Sequence, residues 1–173
     1  MLVPETSQSL SAAAAAERGR SATNETMSDT ENDDWSDLVP LLKGSVGKVS
    51  DRAMRLFAVH CCRHVSQFLH GSWRQGIDIA EKYAEGEATR DELIFRLGYL
   101  SRDFEEIESD NGEIYSAKQA VLASLDPASP FDPTDAAVAA SEAMGCYHDK
   151  KEGMHAEAIW QIGEFQAYLA EVV

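Results

Sequence analysis

The stretch at residues 50–70, SDRAMRLFAVHCCRHVSQFLH, constrains the fold more than any other part of the chain. Met54, Phe57, Cys61, Val65 and Phe68 recur at steps of three and four, the period of one helix face. Leu56, Val59, Cys62 and Leu69 widen that stripe well beyond a single face. A helix apolar over so much of its circumference has to be covered on several sides, which calls for other helices around it. Ser50 is a good N-cap, and Asp51 follows in the first turn, where the helix dipole favours an acid. The expectation is a central helix running to His70 and ended by Gly71.

Shorter segments supply the cover. Trp35, Leu38, Leu41 and Leu42 suit a short amphipathic helix, with Pro40 expected to kink it into two turns and Gly44 and Gly47 to open a loop. Ser72 is placed to cap a third helix carrying Trp73, Ile77, Ala80 and Tyr83 or Ala84, closed by Gly86. Thr89 and Glu92 match a capping box, in which each side chain satisfies a free backbone donor of the other. The helix behind it holds Leu93, Leu97, Leu100, Phe104 and Ile107, and a fifth at residues 113–125 holds Ile114, Ala117, Val121 and Leu125. Three of the five prolines fall in residues 126–134, which read as an extended connector pinned by Phe131. Asp132 or Thr134 caps an alanine-rich sixth helix through Met144. Residues 150–153 read as a turn, and a seventh helix runs from Met154 along Ala158, Ile162, Phe165, Leu169 and Val172. No segment alternates with the period of a strand. The predicted class is all-α, a compact bundle of six to seven helices forming one domain at residues 33–173.

Residues 1–32 hold almost no large apolar side chains, so they cannot offset their ordering entropy and are expected to form a disordered acidic, alanine-rich tail. Met27 is an alternative start within it. The net charge is −15, unevenly spread. Residues 43–75 carry six bases against Asp51 alone, whereas residues 76–173 carry 21 acids against seven bases. Such a field repels phosphate, which argues against nucleic acid as a partner. No apolar run approaches the roughly 20 residues of a membrane span, and the first ten residues lack the basic start and apolar core of a secretory signal. Three cysteines are too few for a disulfide framework, so a cytoplasmic setting is expected.

Lys48, Ser50, Asp51, Arg52, Arg55, Leu56, Phe57, Ala58, Cys61, Cys62 and Arg63 form one motif, and Ala80, Glu81, Ala84, Gly86, Ala88 and Thr89 a second. Together with an upstream tryptophan, here Trp35, the pattern resembles a group of uncharacterised bacterial proteins abundant in planctomycetes. Their helix reads close to SDRKLRLFACACCRR, followed by an AExxAxGxAT segment. The resemblance spans about a third of the chain and implies a helical fold in a bacterial cytosol, with no activity attached. Val59 stands where the group has its first cysteine, and His64 where it has a second arginine.

The sharpest chemical candidate is the run His60-Cys61-Cys62-Arg63-His64. His60 and His64, four apart, share a helix face and could hold one metal together, zinc or iron, with Cys61, Cys146, His148 or His155 completing the set. Cys61 occupies the place of the glutamate that HExxH uses as base, and no CxxC pair is present. The competing reading makes Cys61 and Cys62 small buried apolar residues. Glu152 and His155 have the i, i+3 spacing of di-iron bundles, but no second such pair exists. The acidic run around Asn111-Gly112 puts Ile107 where a calcium loop needs an acid. Arg52, Arg55 and Arg63 make a basic edge suited either to an acidic partner or to acids of neighbouring helices. The sequence thus points to a non-enzymatic protein–protein interaction or regulatory domain that needs no cofactor, working through a protein partner or self-association. The alternative is a zinc- or iron-binding protein built on His60 and His64.

Overall fold

The computed structural model describes residues 34–105, 111–148 and 150–172. Its elements are α1 (Asp34–Ser45), α2 (Asp51–His64), a 3-10 turn (Ser66–Phe68), α3 (Ser72–Ala84), α4 (Arg90–Glu105), α5 (Gly112–Ser124), α6 (Thr134–Tyr147) and α7 (Lys150–Val172). No strand occurs among the described residues, and the class is the all-α bundle that the periodicities predict. The tail at residues 1–32, Ile107 and most of the acidic run lie outside the described residues.

Helix α2 packs against α3, α5, α6 and α7. Met54, Phe57, Ala58, Cys61 and Cys62 are all at most 1% exposed, and Phe57 meets Phe165 of α7 edge to face at 4.9 Å. Ser50 caps the helix by accepting a hydrogen bond from the Ala53 N–H at 3.3 Å. The helix stops at His64, not His70. Residues 66–68 tighten into a 3-10 turn, with the Phe68 and Leu69 N–H groups bonded to the Val65 and Ser66 carbonyls. This turn redirects the chain into α3 while keeping both Val65 and Leu69 buried.

Two breakers fail to break. Helix α1 runs through Pro40 and Gly44 without interruption. Pro40 is exposed, and Leu38 and Leu42 are fully buried. Burying two leucines stabilises by roughly 3–6 kcal/mol, against about 3 kcal/mol for an internal proline. Helix α7 begins at Lys150 and contains Gly153, where a turn is expected. A Cβ on Gly153 would stand 2.6 Å from the Met144 carbonyl oxygen and 2.8 Å from His148 Cβ. Helices α6 and α7 therefore touch backbone to backbone, and the glycine serves that contact rather than a turn. Helix α6 also continues past Met144 to Tyr147. Ser72 is the first residue of α3 and Gly71 its cap.

Helices α5 and α6 pack closely, and both bury small residues completely, Ala117 and Ala120 on α5 and Ala136, Ala137, Ala140 and Ala143 on α6. Small side chains let two helices approach closely, so the seam depends on where α6 starts. That start is set from α2. Arg55, only 5% exposed, donates to the carbonyls of Asp126 and Ala128 at 2.7 and 2.6 Å. Its guanidinium also lies over the Tyr83 and Phe131 rings at 4.9 and 4.3 Å. Asp51 accepts from Ser129 Oγ and the Phe131 N–H at 2.6 and 3.2 Å. The connector is thus held to the first turns of α2, with Phe131 buried beneath it.

Substituting Arg55→Met leaves two carbonyls without their charged donor and is expected to lower unfolding free energy by about 3 kcal/mol in urea denaturation. On α7, Gly153→Ala is expected to destabilise by roughly 1–3 kcal/mol through the backbone clash. Gly163→Ala, whose Cβ would meet nothing within 4 Å, is expected to stabilise by about 0.5–1 kcal/mol. Shifts of the same sign at both glycines would refute the close α6–α7 contact.

Candidate functional site

His60 and His64 face α7, where Glu157, Trp160 and Glu164 follow at steps of three and four. His64 Nδ1 lies 2.7 Å from Glu157 Oε2, and His60 Nε2 lies 3.5 Å from Glu164 Oε2. The Trp160 indole stacks on both imidazoles, with ring centroids 4.1 Å from His64 and 5.1 Å from His60. Behind this layer Gln161 is fully buried. Its Nε2 donates to the Ala137 carbonyl at 3.1 Å and to Glu157 Oε1 at 3.0 Å. Both partners are acceptors, which fixes the amide orientation, and Gln161 Oε1 is left buried with no hydrogen-bond partner among the described residues.

Glu157 is 2% exposed. Burial pushes its carboxyl up, opposed by the hydrogen bond from Gln161 and by His64. The carboxylate accepts from Gln161 on one oxygen and from His64 on the other, so His64 is oriented through its Nδ1 edge. The arrangement ties three helices together, α2 through His64, α7 through Glu157, and α6 through the Ala137 carbonyl.

Of the other sequence candidates only His148 comes near His64. Cys61 and Cys62 are fully buried in the core. Burial pushes both thiols up, Cys62 to about 12, so neither is a ready thiolate ligand or nucleophile. Cys146 is exposed at the end of α6, beside the start of α5 at Gly112. His148 joins His64, Glu152 and Trp160 along an open groove of ≈ 410 Å³. His155 is exposed on α7 and does not line that groove. Among the described residues, no three His, Cys, Asp or Glu side chains converge to hold a metal ion.

The arginines divide. Arg52 pairs with Glu85 at 2.6 Å, and Arg63 bridges Asp78 and Glu81 of α3 at 2.7 and 2.6 Å. Arg55 is the buried anchor of the connector already described. Two of the three basic-edge residues thus face acids of α3 or of the residue that caps its end, at exposures where such pairs contribute little.

Sequence reasoning missed Glu157, Trp160 and Gln161. A signal was present, since Glu157 and Gln161 precede Phe165 at steps of four, on the apolar stripe of α7. It also missed the outer face of α4. That helix packs against α3 and α5, burying Leu93 and Leu100 completely. On its other side Ile94, Phe95 and Tyr99 are 40%, 75% and 52% exposed.

A carboxyl raised by burial binds its proton more tightly in the folded chain than in the unfolded one. Its contribution therefore declines as pH rises from the ordinary carboxylate range into the raised range. Glu157→Gln removes this titration. The stability advantage of the native protein over the variant is expected to be larger at pH 5 than at pH 7 in urea unfolding, and a flat or reversed difference would contradict the buried-carboxylate assignment. The chain matches no protein-family model, no curated protein and no solved structure.

Proposed function

We propose that this chain is a non-enzymatic protein-interaction module of a regulatory kind, whose partner meets the outer face of α4. The observation that carries the reading is Phe95, three-quarters exposed and flanked by Ile94 and Tyr99 on the same helix face. Leaving a large apolar side chain in water forfeits roughly 1.5–3 kcal/mol of burial. The other exposed large apolar side chains among the described residues, Tyr115, Tyr147 and Ile159, stand singly on three different helices, whereas a group of three on one helix face marks a surface that is covered in use.

The histidines and thiols support the same reading. His60 and His64 each face a carboxylate and lie against an indole ring, and two of the three thiols are held as core residues with raised pKa. The setting that accompanies this reading is a bacterial cytoplasm. Cys61, Cys62 and Cys146 are all free thiols, in keeping with a reducing compartment. No described helix is long and apolar enough to cross a membrane.

A photo-crosslinking amino acid placed at Phe95 in living bacterial cells tests the reading. Discrete protein adducts are expected at that position and not at Gln75, an exposed residue of α3. Equal or absent labelling at the two positions would sink it.

A further inference from the structure

We propose that α4 pairs with α4 of a second copy of this chain, antiparallel about a two-fold axis; the inference rests on the interaction reading above and names its partner. The outward positions of α4 are Asp91, Ile94, Phe95, Gly98, Tyr99 and Arg102, all exposed. Their spacing of three and one repeats along a single helix face. When two such helices run antiparallel and cross level with Arg96 and Leu97, one register matches all six positions. Asp91 lies opposite Arg102 of the second copy, Ile94 opposite Tyr99, and Phe95 opposite Gly98. Each match is made twice, because the contact is isologous.

Every match is complementary in kind. An acid meets a base, an aliphatic side chain meets an aromatic one, and the most exposed ring meets a residue with no side chain. Gly98 is the informative member. Glycine inside a helix is destabilising relative to alanine, and a Cβ at this position would meet nothing within 4 Å. Among the described residues nothing requires the glycine, whereas a ring arriving from a second copy does. Arg96 lies over the Tyr99 ring at 5.7 Å from its centroid and steadies it from the side. A parallel pairing would instead set Asp91 against Asp91 and Phe95 against Phe95. The chain as a whole carries −15, which opposes the approach of two copies. The α4 face carries one acid and one base, so it is a place where two copies meet without net local repulsion. A contact confined to one helix face belongs to the small, weak class of interfaces, so the equilibrium is to be read at roughly 10–200 µM chain.

Sedimentation equilibrium of the full chain at 0.15 M salt tests the pairing. The native protein is expected to shift from one to two copies of the 19.0 kDa chain across that range. Asp91→Lys and Arg102→Glu each set like charges opposite one another twice, and each is expected to weaken association about tenfold or more. The double variant Asp91→Lys with Arg102→Glu restores the opposition and is expected to recover association to within about threefold of the native protein. Gly98→Leu fills the hole and is expected to leave a monomer with a thermal midpoint no lower than the native one, so loss of the dimer cannot be laid to misfolding. A native protein monomeric throughout the range would overturn the proposal, as would a dimer indifferent to Gly98→Leu and to the charge exchange. The photo-adducts at Phe95 separate the two readings. Adducts only at masses other than twice the chain, with a monomeric native protein, overturn self-pairing and leave the interaction module standing. No adduct and no dimer overturn both.

Discussion

A guanidinium buried among helices costs several kcal/mol unless its donors are met, and Arg55 meets them with backbone oxygens rather than with a carboxylate. The choice of partner matters. The carbonyls of Asp126 and Ala128 belong to an extended segment with no helix of its own to satisfy them, so the charge and the connector remove each other's unsatisfied groups. The rings of Tyr83 and Phe131 complete the enclosure. With Asp51 holding the Ser129 hydroxyl and the Phe131 N–H, one end of α2 dictates the course of the connector. The helices that follow inherit it. Helix α6 packs on α5 with a set of fully buried alanines and meets Gly153 of α7 through its backbone, and neither contact tolerates much displacement.

The far end of α2 is fixed by different means. His64, Glu157 and Gln161 form a chain of hydrogen bonds ending on the Ala137 carbonyl of α6. An apolar trio of similar volume would pack there without the desolvation of a carboxylate. What the polar chain supplies is register. Sliding α7 by a turn would leave a buried acid and a buried amide without partners, at roughly 1–3 kcal/mol for each group. The two ends of the central helix therefore hold the bundle by different interactions, one reading backbone and the other reading side chains.

Most of the bundle was legible because its signals are local. The Thr89–Glu92 box forms as its spacing requires, with the Glu92 carboxylate on the Thr89 N–H at 2.7 Å and the Thr89 hydroxyl on the Glu92 N–H at 3.3 Å. The stripes of α2, α3 and α5 face inward for the same reason. The errors share a cause, in that each residue's role depends on a neighbour distant in sequence. Gly153 looks like a turn until Met144 and His148 are beside it, and Pro40 looks like a break until the burial of Leu38 and Leu42 is weighed against it. Arg55 looked like one of three surface bases, and only the connector, more than 70 positions away, makes it a core residue. At the histidines, the spacing of His60 and His64 correctly put them on one face. It could not show that what meets that face is Glu157, Glu164 and the Trp160 indole. On α4 the surplus of apolar residues was visible as Ile94, Phe95 and Tyr99, but one stripe satisfies the bundle and periodicity alone does not say which residues are left over.

The adjacent thiols at the centre of α2 bear on how a copy of this protein is lost. Cys61 and Cys62 are wholly enclosed and their ionisation is suppressed, so peroxide or a thiol-capping reagent reaches them only when the bundle comes apart. Once modified, either sulfur carries oxygen atoms or an adduct that the fully packed centre has no room for. Opening is then a one-way exit. Under oxidative stress the loss of these two thiols is paced by how often the helices separate, whereas Cys146, exposed at the end of α6, is open to reagent in the closed bundle.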